Sequence, residues 1–121
     1  MIDSEFEKLV VEVIDSLPRE FREKLQNVAI LIEDLPTLQQ KKELHLRSVT
    51  NLLGLYEGVS LFGRAANAGI IPDTITIFKL PILSLSQDPD EIKKNVRGVV
   101  LHEVAHHFGF SEEQIRMAER G

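Results

Sequence analysis

The stretch DPDEIKKNVRGVVLHEVAHHFG, residues 88–109, carries the strongest structural signal in this sequence. Asp88 is typical of a helix N-cap, and Pro89 is typical of the first helical position, where its missing N–H costs no hydrogen bond. Gly109 can adopt the left-handed backbone conformation that ends a helix, because it has no Cβ atom to clash. The stretch therefore predicts one long helix from Pro89 to about Phe108.

Two histidines lie four residues apart in this predicted helix, within HEVAH at residues 102–106. On a helix His102 and His106 project to the same side, which is the spacing that two ligands of one zinc ion need. Glu103 lies about 100° further round the helix, where it can take a proton from a metal-bound water without binding the metal. Because residues 99–108 are otherwise almost entirely apolar, we expect this part of the helix to be buried.

A catalytic zinc site has three protein ligands and keeps a fourth position for water, so a further ligand is needed. Gly109 permits a sharp turn directly after the helix, and a carboxylate just beyond that turn can reach the metal. Glu112 is the first candidate and Glu113 the second. Both would also suit the first turn of a following helix, since acidic side chains complement the helix dipole there.

The other segments predict an α+β domain around this helix. Apolar residues at helical spacing indicate an amphipathic helix near the N-terminus, namely Phe6, Leu9, Val10, Val13, Ile14 and Leu17. Val28–Ile32 predicts a buried strand, and Leu52–Glu57 predicts a second, short strand. Thr74–Leu80 alternates as a strand does, and the following Pro81 indicates that this strand lies at a sheet edge. A short C-terminal helix capped by Ser111 completes the predicted order.

Composition limits the class of protein. The chain has 121 residues, 43% hydrophobic and 27% charged, which is typical of one globular domain covering residues 1–121. It contains no cysteine, which excludes disulfides, iron–sulfur clusters, thiolate zinc sites and cysteine nucleophiles. With no secretory signal pattern at its start and no apolar run of roughly 20 residues, we expect a cytoplasmic protein.

The net charge of −5 restricts the choice of partners. Nucleic acid and anionic membrane surfaces both require basic faces, so we expect neither of them as a partner. Without cysteine, any metal must be held by nitrogen and oxygen ligands. Two histidines and a carboxylate make zinc (Zn2+) the expected cofactor.

The motif HExxHxxGxxE at residues 102–112 resembles the extended zincin motif of metzincin-like metallopeptidases. Over most of its length the chain more closely resembles the small bacterial metallopeptidase family of minimal zincins, which carry HExxHHFG near the C-terminus. That resemblance includes residues 55–58, LYEG, and the strand around residues 75–81. Glu112 stands where the larger families usually have histidine, and their Met-turn is not evident. Two histidines and a glutamate are nevertheless an established catalytic zinc set.

The resemblance implies that His102 and His106 bind zinc, that Glu103 is the general base, and that Gly109 turns the chain towards Glu112. It implies a minimal zincin-like fold, in which a small mixed β-sheet packs on the active-site helix, with a further N-terminal and a short C-terminal helix. The implied activity is hydrolysis of a peptide or protein substrate. An edge strand beside the cleft would bind that substrate in extended form, a role for which Thr74–Leu80 is the candidate.

Hydrolysis of an amide also needs a group that stabilises the oxyanion. Tyr56, the only tyrosine, and Arg64 are candidates for this role. Thr76, in the strand predicted to border the cleft, is a further candidate for contact with the substrate. Each of the three has an ordinary packing or surface role as its alternative.

Two other functions are compatible with the sequence. One family of zinc-dependent endoribonucleases shares the histidine spacing and the glycine, with a histidine at the position of Glu112. That family lacks a glutamate at the position of Glu103, and the acidic charge disfavours RNA. The other alternative is a non-catalytic metal-binding or interaction domain, which a closed site with four protein ligands would indicate.

Overall fold

A computed structural model describes residues 1–43, 52–58 and 72–120 of the chain. The elements, in chain order, are α1 (Asp3–Asp15), α2 (Arg19–Lys24), β1 (Val28–Glu33), α3 (Leu38–Glu43), β2 (Gly54–Glu57), β3 (Asp73–Phe78), α4 (Lys79–Ser84), α5 (Pro89–Phe108) and α6 (Glu112–Arg120). The predicted α+β class is confirmed, with α1 as the N-terminal helix and α6 as the short C-terminal one. Arg64 lies outside the described residues.

The three described strands form one mixed sheet in the order β1-β3-β2. β3 pairs in parallel with β1 and antiparallel with β2. The prediction that residues 74–80 form an edge strand is therefore wrong, because β3 lies between the other two. Pro81, which suggested an edge, belongs to α4. In the first turn of a helix the missing N–H of proline costs no hydrogen bond, so Pro81 says nothing about the strand before it.

β1 lies at one edge of the described sheet, and β2 lies at the other. The sequence predicts a buried strand here, and this is also wrong, since β1 is half-buried and Leu31 is 45% exposed. The long helix α5 packs on β2 and β3. A uniformly apolar run cannot show which of its faces a helix will cover.

α5 begins and ends as the sequence predicts. The Asp88 side chain accepts a hydrogen bond from the Glu91 backbone N–H at 2.8 Å, and Gly109 has the left-handed φ of 80°. The helix buries one apolar stripe against α1 and the sheet, with Val96, Val100, Leu101 and Val104 fully enclosed.

The last turn of α5 corrects a further prediction. The apolar composition of residues 99–108 predicts burial throughout, but His106, His107 and Phe108 are exposed. The turn lies beside β2, because the His107 ring stacks on Tyr56 and Phe108 meets the same tyrosine ring edge-on. Contact on that side leaves the turn accessible to solvent elsewhere.

Gly54 allows β2 to lie directly against α5. A Cβ atom added at Gly54 would overlap Val99 Cγ1 and lie 3.2 Å from the backbone oxygen of Thr76. We expect Gly54→Ala to lower the free energy of unfolding by about 1–3 kcal/mol, the usual cost of overpacking. Gly98→Ala is the matched control, because its added Cβ meets nothing within 4 Å, and alanine favours a helix by about 1 kcal/mol. Urea denaturation compares the two variants, and equal losses of stability would contradict the close packing.

Candidate metal centre

The two motif histidines lie on the same side of α5, one turn apart. Their ring centroids are 6.1 Å apart and their planes are inclined at 70°. The His102 side chain is 44% exposed and His106 is exposed. Both imidazoles are therefore accessible from solvent, on a helix whose opposite side is held in the core.

A backbone hydrogen bond determines how His102 presents its ring. Its Nδ1 atom lies 2.7 Å from the carbonyl oxygen of Gly98. A carbonyl can only accept, so Nδ1 must carry the proton and donate it. In the neutral ring the lone pair then belongs to Nε2, and a hydrogen bond of this kind typically orients a metal-binding histidine.

A pocket of about 430 Å³ lies beside the two histidines. It is formed by α5, by residues 52–54 at the start of β2, and by the end of α6. Its lining includes Gly54, Gly98, His102, Glu103, His106 and Glu119. The fold thus gathers the whole HExxH motif on one concavity, which is where ligand and active sites usually occur.

Glu103 lies in the pocket with a half-buried side chain. Burial raises the pKa of its carboxyl group above the ordinary value, while electrostatic interaction with the nearby His106 and His102 acts in the opposite direction and lowers it. A carboxylate with a raised pKa accepts a proton more readily than an ordinary glutamate does. This environment suits a general base.

Three carboxylates follow the turn at Gly109, and only one lines the pocket. Glu112 and Glu113 are exposed at the start of α6 and do not line it. Glu119, seven residues after Glu112, lines the pocket, and its Oε1 atom lies 3.9 Å from Nε2 of His102.

Glu119 is not among the residues that the sequence motif predicts for the site. A signal for it exists in the amphipathic pattern of α6, whose buried residues are Ile115 and Ala118. Glu119 is four residues from Ile115 and next to Ala118, so it borders the buried face of the helix.

The predicted oxyanion and substrate contacts lie elsewhere among the described residues. The Tyr56 hydroxyl donates to Asp73 Oδ2 at 2.7 Å, and its ring stacks on His107 with centroids 3.9 Å apart. Thr76 is 3% exposed in the central strand. Neither Tyr56 nor Thr76 lines the pocket. His107 points away from the pocket, as its position on the helix predicts.

Comparison with known proteins agrees with this geometry. A sequence profile described as Zincin-like metallopeptidase matches residues 25–121, which include the sheet, α5 and α6. The chain belongs to the zincin-like metallopeptidase family. The predicted membership of a minimal zincin family and the zincin-like fold are thereby confirmed, and the family supports a zinc metallopeptidase as the general class.

One solved structure has a similar fold. A conserved hypothetical protein from Thermo thermophilus is 23% identical, with a TM-score of 0.59 and an alignment that covers 99% of this chain and 100% of that one. At this identity the likeness concerns the fold alone. Comparison with curated protein sequences gives no match. Within the described part of the chain, none of the helices combines the length and hydropathy of a membrane span.

The donor set of this zincin-like chain suits the zinc ion that the family implies. Two imidazoles and nearby carboxylates are typical zinc ligands, and the His102 ring already has the tautomer that binding requires. Within residues 1–43, 52–58 and 72–120, no three such side chains are close enough together to hold an ion as they stand. Because His106 is exposed, its ring can rotate without disturbing the core.

Proposed function

We propose that this zincin-like chain is a zinc-dependent metallopeptidase that hydrolyses peptide bonds, with His102 and His106 holding the metal and Glu103 as general base. The observation that carries the proposal is the orientation of His102. Its Nδ1 donates a hydrogen bond to the Gly98 carbonyl, so Nε2 is free to act as a ligand atom. Both His102 and Glu103 line the same pocket.

The metal would supply Lewis-acid polarisation of the substrate carbonyl and would lower the pKa of a water molecule to about 7. Glu103 takes a proton from the attacking water as the new carbon–oxygen bond forms. It then gives that proton to the amide nitrogen as the carbon–nitrogen bond breaks, so the carboxylate is regenerated. The raised pKa of Glu103 favours the first transfer.

The substrate would be a peptide or protein lying in extended form along β2. This strand borders the pocket through Gly54, beside the histidines and Glu103 of the motif. With a net charge of −5 and two glutamates in the pocket, the site disfavours RNA as an alternative substrate. The absence of cysteine supports a cytoplasmic location.

A cleavage assay on a mixed peptide library, read by mass spectrometry, tests the proposal. We expect the zinc-loaded chain to produce new peptide termini, a chelator to abolish their formation, and added zinc to restore it. A chain that binds about one zinc ion but cleaves nothing would instead be a non-catalytic metal-binding domain.

A further inference from the structure

We propose that Glu119, and not Glu112 or Glu113, is the third protein ligand of the metal. This inference rests on the proposed zinc site and names the group that completes it. It differs from what the spacing of the motif predicts, since Glu119 lies 17 residues after His102 and at the far end of α6.

Two acceptor atoms face each other across the pocket. Since Nδ1 of His102 is the donor to Gly98, Nε2 presents a lone pair, and it faces the carboxylate Oε1 of Glu119 at 3.9 Å. Two acceptors cannot form a hydrogen bond, so a cation between them, a proton or a metal ion, is needed to make this approach favourable. Two atoms that each lie about 2.1 Å from one zinc ion at a tetrahedral angle are about 3.4 Å apart. A small side-chain movement of Glu119 therefore brings these two atoms to the spacing of two zinc ligands.

The alternative carboxylates, Glu112 and Glu113, lie at the opposite end of the same helix and do not line the pocket. Glu112 is seven residues before Glu119, which corresponds to about 10 Å along the helix axis. α6 is fixed in place because Ile115 and Ala118 are 1% and 3% exposed in the core. Its start is closed by a reciprocal cap, in which Ser111 Oγ accepts from the Gln114 N–H and Gln114 Oε1 accepts from the Ser111 N–H. Glu112 therefore cannot take the position of Glu119 beside His102 unless the helix is displaced.

An arginine holds the end of α6 at the pocket. Nε and Nη2 of Arg97 donate to the Ala118 carbonyl at 3.1 and 2.8 Å, and Nη1 donates to Ser16 Oγ at 2.7 Å. Ser16 follows α1, so the contact ties three helices together. Because Ala118 directly precedes Glu119, Arg97 acts as a positioning residue that keeps the carboxylate opposite His102.

Zinc affinity of the full chain, measured by competition with a chromogenic chelator, tests the assignment. We expect Glu119→Gln to weaken zinc binding by about 100-fold or more, beyond the 10- to 100-fold typical of residues that only support a ligand. Glu112→Gln and Glu113→Gln make the same charge change in the same helix and should leave the affinity within about threefold. Because all three side chains are exposed, we expect the variants to fold as the wild type does, which identical circular dichroism spectra would establish.

A double-mutant cycle separates positioning from general stability. Arg97→Gln alone should weaken zinc binding by about 10- to 100-fold, measured well below its melting temperature. In a Glu119→Gln background the same change should have little further effect, because it acts through Glu119. If Arg97 had a merely structural role, its loss would lower the melting temperature and leave zinc affinity unchanged in both backgrounds.

The outcomes that overturn the inference are distinct from failure of the proposed function. If Glu112→Gln abolishes binding and Glu119→Gln does not, the ligand is Glu112. If none of the three changes matters, no carboxylate of α6 binds the metal. A wild-type chain that takes up no zinc would defeat the proposed function and this inference together, before any variant is compared.

Discussion

His106→Ala should reduce the zinc content of the purified chain from about one ion to nearly none, and His102→Ala should do the same. Each change removes a nitrogen ligand from a site with only three protein ligands, and the remaining two groups bind zinc weakly. We expect zinc affinity to fall by at least about 100-fold, more than the 10- to 100-fold loss typical of groups beyond the ligands. Metal analysis after gel filtration gives the content, and chelator competition gives the affinity.

His107→Ala is the matched control, because this histidine is adjacent to His106 but stacks on Tyr56 and faces Asp73 instead of the pocket. It should keep its zinc. Loss of zinc from the His107 variant with retention in the His106 variant would assign the metal to the opposite side of α5. Unchanged binding in all three variants would refute a histidine-ligated site.

Glu103→Gln should reduce peptide hydrolysis by about 10²- to 10⁴-fold while the chain keeps its zinc, because the amide cannot accept the proton of the attacking water. The rate is best followed on whichever library peptide the wild-type chain cleaves fastest. Glu113→Gln, an exposed change of the same kind on α6, should retain the wild-type rate. A Glu103 variant with undiminished turnover would exclude this residue as the base.

The same Glu103→Gln change should raise the stability of the zinc-free chain at neutral pH. Burial raises the pKa of Glu103 in the folded state, so the folded chain binds this proton more tightly than the unfolded chain does. Its stability therefore falls as the pH rises from the unfolded pKa through the folded pKa, and it stays lower above that window. Thermal melts should show the variant more stable than wild type at pH 7, with the difference vanishing below the window. A variant that is less stable at pH 7 would contradict the burial cost.

Stability gained together with activity lost is the expected signature of a charge that is kept for function. Glu103 is half-buried near two imidazoles, and burial disfavours its charged form, so a neutral side chain of the same shape should be more stable there in the absence of a metal. The zinc-free chain therefore carries a destabilising charge at its site, which a bound cation would offset.

Much of the site could be predicted because its determinants are local. The Asp88 cap, Pro89 and the left-handed Gly109 bound a single helix, and these depend only on residues within one turn of each other. The four-residue spacing then places His102 and His106 on one side of that helix whatever packs around it. The capping pair Ser111 and Gln114 similarly predicts α6 without reference to the rest of the fold.

The errors all concern contacts between segments that are distant in the chain. Alternation in Thr74–Leu80 indicates a strand, but the position of β3 in the middle of the sheet depends on β1 and β2, which precede it by many residues. Apolar composition suggests burial of the whole end of α5, yet His106, His107 and Phe108 are exposed, because burial depends on which distant segments cover that turn. The Gly54 contact with Val99 is invisible in the sequence for the same reason.

The sequence by itself determined the helix, its two ends, the paired histidines and the glutamate between them, because capping and helical periodicity act over a few residues. The tertiary structure decided which strand borders the pocket and which carboxylate faces His102. The position of Glu119 depends on burial of Ile115 in the core and on the hydrogen bonds of Arg97 to Ser16 and Ala118. Spacing along the chain directs attention to Glu112, whereas packing in three dimensions brings Glu119 to the pocket.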